Sequence, residues 1–383
     1  MRFMHLADLH IGKRVNGYPM LEDQKYVLQQ VLQVASEQNL DGVILAGDIY
    51  DKTVPAGEAV QVLDWFLTEL SQLELPVYMV SGNHDSGERL SFGAKLMEKS
   101  GVHVESIYDG TLTPIVLEDS YGPLYLYMLP FVKPVHVRKA LESKMDGESL
   151  DDEVLTYDDA VERVLQEAKI DKNARNLLVA HQLVTGASRC DSEDVSVGGI
   201  DNISATLFED FDYVALGHIH GPQSMTRDTI RYAGTLLKYS FSECNHKKSI
   251  TIVELKEKGN VEIETIPVKP MRDLRVVKGA YNTLMSPTFY KESNKEDYIK
   301  VILTDREDVP EAMGKLSTVY PRIMALEYEN RNGRGTAHLD GADVVEQKQP
   351  MEYFKEFYEG KNGVEMTPYQ EKIVDDLMRE VWG

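Results

Sequence analysis

Aspartate, asparagine and histidine recur in this chain at the ends of short apolar runs. Arg2–Ala7 ends in Asp8-Leu9-His10, and Gly42–Ala46 ends in Gly47-Asp48-Ile49-Tyr50-Asp51. Val77–Ser81 runs into Gly82-Asn83-His84-Asp85, Asn176–Ala180 into His181, and Tyr213–Leu216 into Gly217-His218-Ile219-His220. A carboxylate at the mouth of a buried strand is costly unless positive charge lies beside it. Carboxylate and amide oxygens with neutral imidazoles suit manganese, iron or zinc, and no thiolate stands at these run ends. One carboxylate can bridge two ions, and Asp48 is the natural choice. Two metals about 3.5–4 Å apart can clamp a phosphate and supply a nucleophile near neutral pH. A phosphoester needs that help, because charge builds on its non-bridging and leaving oxygens. The pattern predicts a two-metal site.

Taken singly, these motifs say little. Asp-x-His arises by chance, a buried histidine is commonly a satisfied core residue, and Asn-His-Asp reads as a turn closed by an Asx bond. Their shared position carries the inference, since an α/β sheet gathers its ligand site at its strand ends.

The elements that must hold them follow from periodicity. Leu21–Gln38 carries Val27, Leu28, Val31, Leu32, Val34 and Ala35 at helical spacing. Further helices are expected over Ala56–Leu73, Ser91–Ser100 and Tyr157–Lys169, with strands over Val102–Val104, Thr113–Leu117 and Leu124–Leu129. Gly186–Asn202 reads as a surface loop, and Ile230–Ala233, Ser249–Leu255 and Val261–Pro267 as antiparallel strands closing the sheet. Pro267 and Pro270 mark a boundary, giving domains over 1–268 and 269–330 and a tail over 336–383. The second domain reads as a small mixed unit: strands at Leu274–Lys278, Tyr298–Leu303 and Ile323–Tyr328, and a helix at Glu311–Val319.

The 383 residues exceed one ordinary core. No run approaches the roughly 18 apolar residues of a membrane span, and the first residues lack the layout of a signal peptide. Cys190 and Cys244 are the chain's two cysteines, so a disulfide framework is not expected and a reducing cytoplasm fits. The formal net charge of -22 argues against a protein that grips DNA unaided, because phosphate contacts dominate such affinity.

Together the five motifs resemble the full signature of the calcineurin-like metallophosphoesterases, in that family's order over residues 1–240. Met1–Gly12, Leu129-Pro130-Phe131, Ser188–Asp194 and Gly234–Glu243 are similar to its SbcD-type branch, bacterial DNA nuclease subunits. The resemblance implies an α/β fold: a layered β-sandwich flanked by helices, with a small α+β capping domain and a helical C-terminal tail. It implies one ion held by Asp8, His10, Asp48 and His220, and a second by Asp48, Asn83, His181 and His218. His84 matches the catalytic histidine, with Asp85 placed to orient it, and Asp51 fits a supporting or substrate-side role. Cys190 stands where a hydroxyl residue is expected. Implied too are two divalent ions, manganese above all, and cleavage of duplex ends from 3′ to 5′ and of single strands and hairpins. The implied partner is an SbcC-type ATPase, in DNA repair, recombination and replication.

Alternatives remain at this point: another metallophosphoesterase, such as a nucleotide phosphodiesterase or phosphatase, or a metal-free binding scaffold. The segment beyond Pro270 favours the nuclease. His5 is expected to be structural, and Cys244 with His246 lacks a second ligand pair nearby. On Ala56–Leu73 the apolar residues spread over an arc of roughly 160°, wider than the ~100° one core contact needs, which predicts a homodimer. Thr336–Pro350 reads as a tether. Met351, Phe354, Phe357 and Tyr358, then a helix opened by Thr367-Pro368-Tyr369-Gln370, read as the element that docks the ATPase.

Overall fold

A computed structural model of the chain describes residues 1–144, 156–193, 201–291, 294–329 and 364–382, with a few single residues between 351 and 361. It divides into two compact units, Met1–Asp273 and Leu274–Gly383.

The first unit opens with β1 (Arg2–Leu6), α1 (Leu21–Glu37), β2 (Gly42–Ala46), α2 (Gly57–Gln72), β3 (Val77–Val80) and β4 (Val102–Glu105). The four strands lie side by side in parallel, and parallel neighbours need crossovers, which the helices supply. Every residue of β2 is buried, as a strand covered on both faces requires. α1 turns Val27, Leu28, Val31 and Ala35 inward along one stripe. α2 buries Ala59, Val62, Leu63, Phe66, Leu67 and Leu70 within the chain and leaves Val60 and Leu73 exposed. The helix expected over Ser91–Ser100 is broken. Gly87–Leu90 and Ala94–Met97 are separate turns, because Gly93 between them takes a φ of 78°, a left-handed value that interrupts a helix.

A second sheet follows, from β5 (Ile115–Asp119), β6 (Gly122–Leu129), β7 (Arg175–His181), β8 (Tyr213–Gly217), β9 (Gln223–Ser224) and β10 (Ile230–Tyr232), with α3 (Pro134–Glu142) and α4 (Tyr157–Ala168) between β6 and β7. Its order is β9-β10-β8-β7-β6-β5, parallel in the centre with antiparallel edges. The antiparallel strand expected at Ile230–Ala233 is therefore corrected, for Ile230–Tyr232 pairs in parallel with β8. The chain leaves β8, turns back along β9, and so starts β10 in the direction of β8. β11 (Ser249–Leu255) and β12 (Val261–Pro267) return to the first sheet, antiparallel beside β1 as expected.

Alternation of side chains builds two cores. Leu177 and Val179 of β7 with Tyr213 and Ala215 of β8 face the first sheet and meet Phe3, Ile44 and Val80. Leu178, Ala180, Val214 and Leu216 face the other way, onto Val137 and Leu141 of α3 and Val161 and Val164 of α4. The result is a layered β-sandwich flanked by helices.

In the second unit β13 (Leu274–Gly279), β14 (Tyr298–Leu303) and β15 (Ile323–Tyr328) form a parallel three-stranded sheet. α5 (Ala312–Ser317) packs Leu316 into a core with Ile299, Val301 and Tyr320. The tail helix α6 (Pro368–Trp382) starts at a capping box. The Thr367 amide donates to Gln370 Oε1 at 2.9 Å, and the Gln370 amide to Thr367 Oγ1 at 3.4 Å. Ile373 and Leu377 on this helix are exposed. Thr336–Pro350 and Phe357 lie outside the described residues.

Candidate metal centre

The loops after β1, β2 and β3 of one sheet meet those after β7 and β8 of the other. They leave their strands through a backbone that ordinary residues avoid: φ is 53° at Asp8, 44° at His10, 49° at Asp48 and 104° at His218. Such values cost about 1–3 kcal/mol each and persist where the surroundings enforce them, commonly at functional sites. Here the enforcement is visible. The amides of Asp8 and His10 donate to the carbonyls of Gly47 and Asp48 at 3.0 and 2.9 Å. Gly82 must lack a side chain, since a Cβ there would lie 2.1 Å from Asp48 Oδ1.

All seven residues expected as metal ligands come together. His10 Nε2 and His220 Nε2 are 3.0 Å apart, and His10 Nε2 lies 3.6 Å from Asp48 Oδ2. Asp8 joins His10 and His220 with ligand atoms within 4.8 Å of one another. On the other side His181 Nε2 lies 3.4 Å from the same Asp48 Oδ2 and 3.0 Å from Asn83 Oδ1, which is 2.9 Å from His218 Nδ1. One oxygen of Asp48 thus faces both groups. The other is occupied, accepting the His84 amide at 2.9 Å.

The donor set fits cations. Asp8 Oδ2 and His10 Nδ1 are buried with no hydrogen-bond partner among the described residues, an expensive condition for polar atoms. His181 Nδ1 is 2.9 Å from the Ala46 carbonyl, so when the ring is neutral its proton sits there and the Nε2 lone pair faces two oxygens. Burial drives the Asp8 carboxyl well above its ordinary range and His218 down to about 3. Burial also disfavours charge on His181, but the carboxylates of Asp48 and Asp8 outweigh it and raise His181 to about 9. Burial disfavours charge on Asp48 too, yet the neighbouring imidazoles of His181, His10 and His84 hold its carboxyl well below the ordinary range, so it faces both groups as an anion.

His84 stands at the edge of the group, its side chain 18% exposed and its ring edge-on to His10 with centroids 4.8 Å apart. Its Nδ1 faces the Asp51 carbonyl at 3.1 Å, and its Nε2 lies 3.9 Å from Asp48 Oδ2. Asp85, the residue expected to orient His84, lies with its carboxylate against backbone amides of both loops. Asp85 accepts the amides of Gly82, Ile49 and Tyr50 at 2.9, 3.1 and 2.9 Å, and so fastens the loop after β3 to the loop after β2. The Asp51 side chain pairs with Lys13 at 2.8 Å and lies 3.8 Å from His10 Nδ1.

Residues set aside at the outset stay outside the group. His5 is held by the Tyr213 hydroxyl and the Leu216 carbonyl at 2.9 and 3.2 Å. Of the histidines outside the motifs, His103 stacks on Tyr78. Sequence reasoning missed the polar residues behind His220, namely Ser192, Glu193, Glu243 and Lys248. The signal available was Glu243, an acidic residue closing the stretch Gly234–Glu243, and Lys248 just before an apolar strand.

Residues 1–222 match the model of the calcineurin-like phosphoesterases, and the chain belongs to that family, metal-dependent hydrolases of phosphoesters. Residues 270–362 match the Type 5 capsule protein repressor C-terminal domain. The chain is 34% identical over 330 residues to the SbcD subunit of the nuclease SbcCD from Staphylococcus epidermidis, with 85% of each chain covered. Among solved structures, a dimetal phosphatase from Danio rerio covers 69% of this chain and 95% of its own at 14% identity, with a TM-score of 0.40.

Proposed function

We propose that the chain is the nuclease subunit of an SbcCD-type complex, cutting DNA with two divalent cations, manganese by preference. The observation that carries the two-metal reading is Asp48 Oδ2, 3.6 Å from His10 Nε2 and 3.4 Å from His181 Nε2. Asp8, His10, Asp48 and His220 would hold one ion, and Asp48, Asn83, His181 and His218 the other. Bound there, the pair supplies Lewis acidity to a phosphodiester and to the attacking water. His84 is placed to hold a proton at Nε2 for the leaving oxygen, its Nδ1 anchored on the Asp51 carbonyl. Asp51, beside His10 and Lys13, tunes the rim of the first ion.

The reading extends to 3′-to-5′ cleavage of duplex ends, to single strands and hairpins, and to DNA repair, recombination and replication in the cytoplasm. Among the described residues no helix is long and apolar enough to cross a membrane. The 34% identical relative is named as one subunit of the nuclease SbcCD, and the charge of -22 favours an SbcC-type ATPase that shares the grip on DNA. The exposed Ile373 and Leu377 of α6 suit a helix-in-groove contact with that partner. A chain ending at Gly335 that still bound the ATPase fully would place the contact elsewhere. We read residues 1–268 as the nuclease domain, 269–330 as a cap and 336–383 as tether and docking segment. A homodimer rests on Val60 of α2 and Leu73 just past its end, both exposed. A monomeric mass by light scattering at micromolar concentration would remove it.

The deciding assay sets linear duplex DNA and a chromogenic phosphodiester side by side, with and without manganese. Manganese-dependent shortening of the duplex is expected. Turnover of the small ester alone would favour a nucleotide phosphodiesterase instead.

A further inference from the structure

Behind His220 runs a buried polar chain that the ligand set does not use. Ser192 Oγ lies 2.6 Å from His220 Nδ1 and 2.6 Å from Glu243 Oε1. Glu243 is fully buried, and its other oxygen meets Lys248 Nζ at 2.6 Å. That ammonium also donates to the His220 carbonyl at 2.9 Å and to Thr235 Oγ1 at 2.6 Å. Glu193 accepts the His220 amide at 2.7 Å.

Donor counting fixes the protons. A carboxylate paired with an ammonium only accepts, so the Ser192 hydroxyl points at Glu243. Ser192 then has lone pairs alone for His220, so the imidazole donates from Nδ1. Its Nε2 is left with a free lone pair, 3.0 Å from His10 Nε2 in the metal centre. Two other imidazoles of the centre are backed differently: His181 Nδ1 leans on the Ala46 carbonyl at 2.9 Å, and His10 Nδ1 lies 3.8 Å from the Asp51 carboxylate. Burying an ion pair is often no better for stability than packing apolar residues of the same volume. The Glu243–Lys248 pair therefore points to positioning as well as stability.

We propose that Ser192 and Glu243 are positioning residues that fix the tautomer of His220 and aim its Nε2 lone pair into the centre, and so set the affinity of the ion held by Asp8, His10, Asp48 and His220. This rests on the two-metal reading above. Partners of this kind behind a ligand are typically worth about 10–100-fold in metal affinity.

The test is a manganese titration of the full chain by calorimetry and by electron paramagnetic resonance, on wild type, Ser192→Ala, Ser192→Thr and Glu243→Gln. Ser192→Ala leaves the Glu243–Lys248 pair intact and guards against a Glu243 variant that fails to fold. In Ser192→Ala one of two ions should bind about 10–100-fold more weakly while the other keeps its affinity, and Ser192→Thr should restore both. A folded Ser192→Ala that binds both ions as wild type does overturns the proposal, and so does one that weakens both ions equally. A wild-type chain that takes up fewer than two ions overturns the two-metal reading itself, before any variant is compared.

Discussion

Asp85 offers a choice between two roles with different measurable consequences. As an orienting group for His84 it would matter to turnover and little to folding. As a fastener it accepts three backbone amides, Gly82 and Ile49 at Oδ2 and Tyr50 at Oδ1. Asp85→Asn keeps the shape but leaves one oxygen. That oxygen can keep the Gly82 and Ile49 amides, while the new NH₂ confronts the Tyr50 N–H, donor against donor. A hydrogen bond to a charged group is worth about 1.5–3 kcal/mol and a stranded donor costs about 1–3 kcal/mol, so a loss of roughly 3–5 kcal/mol is expected.

The loop after β2 carries Asp48 and the loop after β3 carries Asn83, so the ion they share should also bind more weakly. Urea unfolding followed by intrinsic fluorescence gives the first quantity, and manganese calorimetry the second. Asp85→Asn with wild-type stability and metal affinity, but turnover reduced about 10²–10⁴-fold, would refute the fastening role and favour the orienting one.

Three further outcomes follow from the same geometry. Asp48→Asn should lower occupancy of both ions by elemental analysis and abolish activity, whereas Asp8→Asn should mainly affect one; loss of the same single metal in both would break the bridging assignment. His84→Gln should keep both metals and lose about 10²–10⁴-fold in turnover, and near-normal cleavage by the metallated variant would remove His84 from the chemistry. In Gly217→Ala a Cβ would lie 1.8 Å from the Ala46 carbonyl, so the two sheets must part at the metal centre and stability should fall by about 1–3 kcal/mol or more in thermal unfolding. Gly57→Ala, with open space around it, is the control and should be neutral or slightly stabilising.

The gathering of these seven residues was legible because metal chemistry limits residue types and because strand ends deliver them. Asp8-Leu9-His10 says little alone and looks like a ligand pair because four other apolar runs end in the same residue types. Pairing and pointing were less legible. Nothing in Ile230–Tyr232 says that it lies beside β8, since that follows from a reversal through β9. Asp85 stands next to His84 in sequence, yet its amide partners Ile49 and Tyr50 come from 36 and 35 residues away. Ser192 and Glu243 meet across 51 residues, a separation with no spacing rule of its own. Local pattern names a residue that can do chemistry; only the tertiary fold says what its oxygens touch.

The division of ligands between the sheets has a thermodynamic consequence. Asp8, His10, Asp48 and Asn83 follow strands of the first sheet, while His181, His218 and His220 end or follow strands of the second. An unfolded chain has no such grouping, so ions bound here stabilise the closed sandwich by mass action. At free metal 100 times the dissociation constant, each independent site adds about 2.7 kcal/mol. For a unit of this size that is about 5 °C in melting temperature per site. Adding a chelator to the manganese-loaded protein should lower the melting temperature by at least one such step, and Gly217→Ala, which separates the sheets, should show a smaller step. A chelator that removes the metal yet leaves the wild-type melting temperature unchanged would mean that the ions do not tie the two sheets together.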